Sequence, residues 1–410
     1  MAHRGGQAAN MSDARRFAII GGGIIGAAVA RRVTQQLPDA EVALFEKEPE
    51  VAAHQTGHNS GVVHAGLYYE PGGLKARLCR RGVQLLEEYA AERSIPYERC
   101  GKVVVALTET ERDRLHAIAG RAVSNGVPGA RMIDAAELRE LEPNAAGIAA
   151  LHSPSTAIID YRRVTECLVE DLQAAGGELR LGTEVTGARS SDREVQLETS
   201  AGSFTFDHVI ACAGLQSDRL ARRSGARRSP SIVPFFGQYL LLEPQYRTIT
   251  NGLVYPVPDP AYPFLGVHLT KRVDGEMTIG PNAFLSFSRE TYRGFGLNPR
   301  DTWAVASDPG LRKFAARNVR GAAREIGGVL NPKHLVQQAA RYVPAVADAR
   351  VTALSRGVRA QAMEPTGELV DDFVIEQVGR VTHVRNAPSP GATSSLAIAE
   401  YIVEQAVPAR

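Results

Sequence analysis

Three glycines and an acid carry the first chemistry in this chain. Gly21, Gly23 and Gly26 fall within the run Gly21-Gly22-Gly23-Ile24-Ile25-Gly26, and Glu46 stands twenty residues after the last of them. Gly21 suits a tight turn, Gly23 lets the backbone approach a pyrophosphate, and Gly26 lets a helix press onto a strand. A helix opening at this turn offers unbonded N–H groups and a positive dipole end to phosphate. Glu46 can accept hydrogen bonds from a ribose. The pattern therefore reads as a dinucleotide site.

A second dense stretch follows at once. His54 to Gly66 reads HQTGHNSGVVHAG, with three histidines among glycines and small hydrogen-bonding side chains. Its glycines and its lack of nearby acids argue against a metal, and no metal site is expected. Small residues here suit close approach along an extended cofactor. Lys47, Asn59, Ser60 and Gly61 are the expected contacts from this region. Val185 and Gly214 are expected from later strands, and Gly391, Thr393 and Ser394 from a C-terminal turn.

The elements that position these residues are legible. Phe17–Ile20 is a short apolar strand, a helix runs on from Ala27-Ala28-Val29-Ala30, and Glu41–Phe45 is a second strand. This βαβ unit predicts an α/β fold, a Rossmann-like parallel sheet with helices on its faces. Helices are predicted over Lys75–Arg93, Glu109–Arg121, Ala135–Leu141 and Asp160–Ala175, and a buried strand over Lys102–Leu107. Glu178–Leu181, Val185–Gly187 and Phe206–Ala211 read as strands. Alternating residues and recurring turns from Pro234 to Gly280 indicate an inserted α+β region with an antiparallel sheet. Leu311–Arg341 is mostly helical and Arg-rich. Strands near Val374–Glu376 and Thr382–Arg385, the Pro/Gly loop Asn386–Gly391 and a helix over Thr393–Glu404 close the chain. The expected division is a tail over 1–15, a cofactor-binding part over 16–90, 145–225 and 350–410, and a substrate part over 91–144 and 226–349.

Composition narrows the class. At 410 residues the chain exceeds the size of one hydrophobic core, so two domains are expected. Hydrophobic residues at 44% and charged ones at 22% match a soluble globular protein. The net charge of +2 and the short, scattered arginine pairs give no reason to expect nucleic acid. Cys79, Cys100, Cys167 and Cys212 show neither CxxC nor finger spacing, which fits a reducing, cytoplasmic setting. Met1–Arg15 lacks the apolar core of a secretory signal and reads as a loose tail. No apolar run reaches the length of a membrane span. Phe284, Phe287, Tyr292, Phe295 and Trp303 lie amid Arg289, Arg293 and Arg300, a mixture suited to resting on anionic lipid.

Two cofactors compete for the dinucleotide site. A nicotinamide comes and goes, whereas FAD stays and is enclosed by later segments. The loop His54–Gly66 favours FAD. So does the helix opening at Thr393-Ser394-Ser395, whose N-terminus can stabilise negative charge on a reduced flavin. No second strand–GxGxxG–helix unit occurs, so the substrate itself is expected to be the reductant.

The residues also resemble a known family. HQTGHNSGVVHAG and the following Leu67-Tyr68-Tyr69-Glu70-Pro71-Gly72-Gly73-Leu74-Lys75 resemble the L-2-hydroxyglutarate oxidase/dehydrogenase family, FAD-dependent oxidoreductases of the D-amino-acid-oxidase type. The likeness continues at Cys100-Gly101-Lys102, at Pro154–Arg163 (PSTAIIDYRR), and at Ala211–Asp218 (ACAGLQSD). It resumes at Tyr255–Pro260 (YPVPDP), Phe264–Thr270 (FLGVHLT), Gly357–Gln361 (GVRAQ) and Asn386–Pro390 (NAPSP). One departure stands out: Phe236-Gly237-Gln238 occupies the place of an Arg-Gly-Glu.

The resemblance implies non-covalent FAD and oxidation of L-2-hydroxyglutarate to 2-oxoglutarate, with hydride passing from Cα to flavin N5. It leaves a membrane quinone or oxygen as the final electron acceptor. Related enzymes acting on a glycine- or sarcosine-type amine, or on glycerol 3-phosphate, are the alternative. So is a flavoprotein kept as a binding module. Arg359 is expected to fork onto the α-carboxylate, from a Gly-x-Arg turn. His268 leads as acceptor of the hydroxyl proton and His64 is the second candidate. Tyr255 and Lys75, with Arg77, are candidates for the remaining substrate contacts.

Overall fold

The computed structural model describes residues 15–259, 266–292, 296–317 and 332–406. The expectations for the tail 1–14, for Pro260, Phe264, Leu265, Arg293 and Phe295, and for 318–331 lie outside these residues.

Phe17 to Ile20 are all buried, the pattern of a strand covered on both faces. Phe17 and Ile19 point into one core and Ala18 and Ile20 into another, as the two-residue strand period requires. Strand Arg16–Ile20 sits inside a six-stranded sheet in the order 374–378, 381–386, 208–211, 16–20, 41–45, 178–180. All neighbours are parallel except the 374–378/381–386 pair. Helices Ile24–Gln36, Leu74–Glu92, Tyr161–Ala174 and Ser395–Ala406 cover one face. A three-stranded meander, Val185–Ser190, Val195–Thr199 and Gly202–Phe206, covers the other.

From strand 16–20 the chain moves first to 41–45 on one side and later to 208–211 on the other. That reversal leaves a crevice at the carboxyl ends of the three strands, where open α/β sheets bind ligands.

The second large sheet has nine strands. Eight run in the order 284–285, 231–242, 277–280, 268–271, 253–256, 102–106, 149–153, 131–134, and Val351–Met363 pairs along the whole of Ser231–Leu242. Its core gathers Val103, Val105, Leu240, Val254, Leu269 and Ile279.

Several boundaries differ from the sequence reading. Ala149–Ser153 and Val351–Met363 belong to the nine-stranded sheet, although 145–153 and 350–363 were expected in the cofactor-binding part. Neither strand has local residues that name its partner; long-range pairing decides it. The single strand expected over Phe206–Ala211 breaks at Asp207, ending the meander and starting a core strand. The last helix begins at Ser395, two residues later than expected. Asp160 does open its helix, accepting the N–H groups of Arg162 at 2.8 Å and Arg163 at 3.3 Å. Such a cap is worth about 1 kcal/mol.

Candidate active site

The glycine turn is built by contact as much as by conformation. Gly21 has φ +105°, and a side chain on it would meet the Cys212 carbonyl oxygen at 2.4 Å. A Cβ on Gly26 would lie 1.9 Å from the Gly21 carbonyl oxygen, so helix and turn touch backbone to backbone. Gly23 is the N-cap of helix Ile24–Gln36 and has no side chain to close that end. Only the Ile24 N–H is satisfied from a distance, by Thr56 Oγ1 at 3.0 Å. Glu46 is buried and accepts the N–H groups of Gly22 at 2.6 Å and Glu48 at 2.9 Å. A carboxylate has lone pairs beyond these two, so it can still receive a ribose hydroxyl.

From this turn a cavity of about 830 Å³ runs between the two large sheets. Its lining begins at Gly21, Gly23, Gly26, Glu46 and Lys47, passes Asn59, Ser60, Val185 and Gly214, and ends at Gly391 and Thr393. His64, Lys75, Tyr255, His268 and Arg359 line it as well. Gly61 and Ser394 do not. Gly61 is a turn residue with φ +72° whose N–H is accepted by Asn59 Oδ1 at 2.7 Å. Ser394 is buried behind the wall, its hydroxyl without a partner. Lys47 is drawn into a cluster with Glu48, His54 at 2.9 Å and Glu290 at 3.2 Å. Burial opposes its charge, but these acids hold its pKa above the ordinary value.

The histidine loop divides its labour. His54 joins the Lys47 cluster and His58 stacks on Tyr292 at 4.1 Å, so both organise the loop. His64 faces the cavity; its backbone N–H donates to Thr393 Oγ1 at 3.2 Å, and the Tyr161 hydroxyl bonds the same Oγ1 at 2.9 Å. This ties the loop to the turn before the last helix. Gly82 permits that approach, since a Cβ there would lie 2.4 Å from the Thr393 carbonyl oxygen.

The nine-stranded sheet supplies the far wall. Tyr255 and His268 stand opposite each other on adjacent strands and their rings stack at 3.8 Å. His268 Nδ1 lies 2.9 Å from the Gly266 carbonyl oxygen, which can only accept. Nδ1 therefore carries the proton and Nε2 is left with a free lone pair. Burial, together with the nearby Lys102 and Arg359 charges, lowers the His268 pKa to about 3, although the Gly266 bond works the other way. His64 is lowered to about 3 by burial and the same cations. Both rings are neutral at working pH.

Arg359 does not sit in a turn. It lies mid-strand in Val351–Met363, opposite Phe235. Gly357, two residues earlier, lets this strand meet the loop, for a Cβ there would come within 2.6 Å of the His58 carbonyl oxygen. Gln55 fixes the register by accepting the Ala360 N–H at 3.0 Å. Tyr239, on the paired strand, is hydrogen-bonded by both Arg359 and Ser60. Tyr239, Gln55 and Thr56 were missed from the sequence. Only the long 231–242/351–363 pairing brings Tyr239 to Arg359, and nothing local marks it.

Two substrate expectations change. Arg77 is exposed and outside the cavity lining, because it points to the outer face of its helix. Lys75 lines the cavity but its ammonium is paired with Asp371 at 2.7 Å. The Phe236 departure is also resolved. Gly237 and Tyr239 line the cavity, whereas Phe236 points to the opposite face, against Phe284 and under the Arg356 guanidinium. By strand alternation an arginine at 236 would leave from that same face.

Buried neutral histidines carry a stability cost in acid. His64, His268 and His383 have pKa values lowered to about 3, 3 and 4, while in the unfolded chain each titrates near 6.5. Between about pH 6.5 and 3 the unfolded chain binds protons the folded one does not, so stability falls as pH falls. A Tm series should decline progressively below pH 6.5; a flat Tm down to pH 4 would contradict these burials.

The arrangement combines a glycine-turn crevice, the Arg359 guanidinium and a neutral His268 imidazole. A profile of the FAD dependent oxidoreductase family matches residues 16–405. The chain belongs to that family. It is 43% identical over 399 residues to the L-2-hydroxyglutarate dehydrogenase, mitochondrial, of Caenorhabditis elegans, covering 95% of this chain and 92% of that one. It is 40% identical to the human mitochondrial L-2-hydroxyglutarate dehydrogenase, with 98% and 90% covered. An Escherichia coli L-2-hydroxyglutarate dehydrogenase is also 40% identical, with 95% and 92% covered. Among solved structures, the L-alpha-glycerophosphate oxidase of Mycoplasma pneumoniae with FAD bound superposes with TM-score 0.77 at 24% identity, covering 96% and 95%. Glycine oxidase of Geobacillus kaustophilus gives 0.72 at 21% identity, covering 95% and 94%. These two share the fold, of D-amino-acid-oxidase type, with this chain.

The residues fit FAD on their own terms. Gly21 and Gly26 let the turn pack backbone to backbone beside the cavity, and the helix opening at Gly23 has no side-chain cap. A second helix N-terminus, at Ser395, follows the lining residues Gly391 and Thr393 at the other end of the cavity.

Proposed function

We propose that this protein oxidises L-2-hydroxyglutarate to 2-oxoglutarate, as an FAD-dependent 2-hydroxy-acid oxidoreductase. The observation that carries the reading is the meeting of Arg359, neutral His268 and the glycine-turn crevice in one cavity. Bound there, FAD supplies the acceptor for the two electrons that leave the substrate as hydride.

Arg359 receives the α-carboxylate, because a guanidinium fork matches a carboxylate with two parallel N–H bonds. Tyr239 and the strand register hold that fork in place. His268 Nε2 takes the hydroxyl proton as the C–H bond breaks, and its Nδ1–H stays anchored on Gly266. Tyr255 braces the ring by stacking. His64 also lines the cavity, its neutral ring near Ser389 with Nε2 3.5 Å from Oγ. It is the second candidate for the proton. Lys75 stays a substrate contact only if a carboxylate displaces Asp371 from it.

The reading is tested by product formation. Purified enzyme with an artificial electron acceptor should convert the L-enantiomer to 2-oxoglutarate and leave the D-enantiomer untouched. Oxidation of glycine, sarcosine or glycerol 3-phosphate in its place would sink it.

For the electron acceptor we favour a quinone reached at the cytoplasmic face of a membrane over oxygen. Phe284 and Arg289, expected on that surface, are buried. Leu297 and Trp303 are 77% and 75% exposed, and Phe287 is 41% exposed. Phe287 is joined to them through bonds from Asn298 and Thr302. Arg300 is exposed on helix Pro299–Ser307, which carries Trp303, and Arg312, Lys313 and Arg317 are exposed on the following helix, Pro309–Arg317. Among the described residues no helix is long and apolar enough to cross a membrane. Exposed apolar anchors on helices that also carry cations suit an anionic bilayer surface, with about 1 kcal/mol per basic residue. Vesicles rich in phosphatidylglycerol should sediment the protein, and the pair Leu297→Ser, Trp303→Ser should abolish this. Equal sedimentation of the double variant would remove the surface from the account.

A further inference from the structure

Lys102 is the conspicuous cation that the scheme above leaves without work. It lies on strand Lys102–Ala106 of the nine-stranded sheet and is 3% exposed. Its ammonium stands 4.0 Å from the centre of the Tyr255 ring and 4.7 Å from that of Tyr68. Among the described residues no carboxylate lies within ion-pair distance of it. A buried ammonium without a counter-charge is expensive to keep.

Its place in the sheet is informative. Strand 253–256 runs between strands 102–106 and 268–271. Lys102 pairs with Leu253, two residues from Tyr255 and so on the same face. Tyr255 pairs in turn against His268. The Tyr255 ring thus stands between the Lys102 ammonium and the His268 imidazole, at 4.0 Å and 3.8 Å from its centre. Tyr68, Tyr255 and His268 all line the cavity, so Lys102 acts on it from directly behind the wall. The other cation candidates are spent: Lys75 is paired with Asp371, and Arg77 is exposed outside.

We propose that Lys102 is the specificity-determining cation for the substrate's second carboxylate, selecting a 2-hydroxy dicarboxylate over a 2-hydroxy monocarboxylate from behind the Tyr68 and Tyr255 rings. This inference rests on the hydroxy-acid reading of the same cavity. A dianion in the cavity supplies the counter-charge that the free protein lacks, and its distal carboxylate is drawn to the side of the cavity where Lys102 lies.

The groups facing Lys102 leave it as the one that titrates near neutrality. Tyr68 and Tyr255 are pushed up by burial, and Cys100, two residues away, is pushed up to about 12. His64 and His268 are neutral, the Arg359 guanidinium lines the same cavity, and the pairing strand presents Ser153 opposite. Burial lowers Lys102 itself to about 7. Its charge is present below that pH and lost above it, so selection for the dicarboxylate should weaken as pH rises.

The test uses the flavin-loaded enzyme and two five-carbon substrates, L-2-hydroxyglutarate and L-2-hydroxypentanoate, which differ in the distal carboxylate. Lys102→Met should lower kcat/KM for the dicarboxylate at least tenfold, mainly through KM, and leave the monocarboxylate unchanged. Lys102→Arg should keep the preference and remove its decline between pH 6 and 9. Equal losses on both substrates, or a preference independent of pH in the unsubstituted enzyme, would overturn the proposal. The second arm needs no variant, so a misfolded Lys102→Met leaves the test intact. If the unsubstituted enzyme oxidised neither substrate, the hydroxy-acid reading would fail first and separately.

Discussion

Replacing Arg359 by methionine lowers kcat/KM for L-2-hydroxyglutarate by roughly 30- to 900-fold, and most of the loss appears in KM. The estimate is the loss of a charge-assisted, two-pronged carboxylate contact in a mostly enclosed site, about 2–4 kcal/mol at 1.36 kcal/mol per decade. Arg359→Lys should fall between the two enzymes, because an ammonium keeps the charge but not the fork. Flavin content should stay normal in both, since the glycine turn and the Thr393 turn lie on other elements. Steady-state kinetics beside the flavin-to-protein absorbance ratio checks the prediction. Loss of flavin would recast Arg359 as a strut between Tyr239 and the histidine loop. Unchanged kinetics would move carboxylate binding elsewhere.

Replacing His268 by alanine slows reduction of the flavin by about 10²- to 10⁴-fold, the usual contribution of a positioned general base. Substrate affinity should change far less, because Arg359 is untouched. The pH profile gives an independent check. With a pKa lowered to about 3, His268 is unprotonated throughout the ordinary range. In kcat/KM it should therefore contribute no acid limb between pH 8 and 5. A limb with midpoint near 6.5 would mean a solvent-exposed imidazole, which contradicts the burial of this ring. Stopped-flow reduction that is unaffected by the substitution would pass the role to His64.

Why were some of these residues legible in the sequence and others not? The glycine turn was readable because each glycine answers a local need: a positive φ at Gly21, a backbone contact at Gly26. The Asp160 cap and the four apolar residues of the first strand were readable for the same reason. Arg359 and His268 were singled out through residue type and resemblance, but their surroundings were not legible. Arg359 was expected in a turn, yet thirteen residues around it form one strand, held by pairing with a segment more than a hundred residues away. Tyr239 and Lys102 entered the site only through that kind of pairing. Phe236 shows the converse, where a departure conspicuous in sequence points to the opposite face from Gly237 and Tyr239 by strand alternation.

The most direct test of the account is an anaerobic absorbance spectrum of the purified protein before and after L-2-hydroxyglutarate is added. The account predicts an oxidised flavin spectrum that bleaches with this acid and stays unchanged with its D-enantiomer or with glycine. A flavin spectrum that L-2-hydroxyglutarate leaves unmoved would contradict the substrate assignment, and with it the roles given to Arg359 and His268.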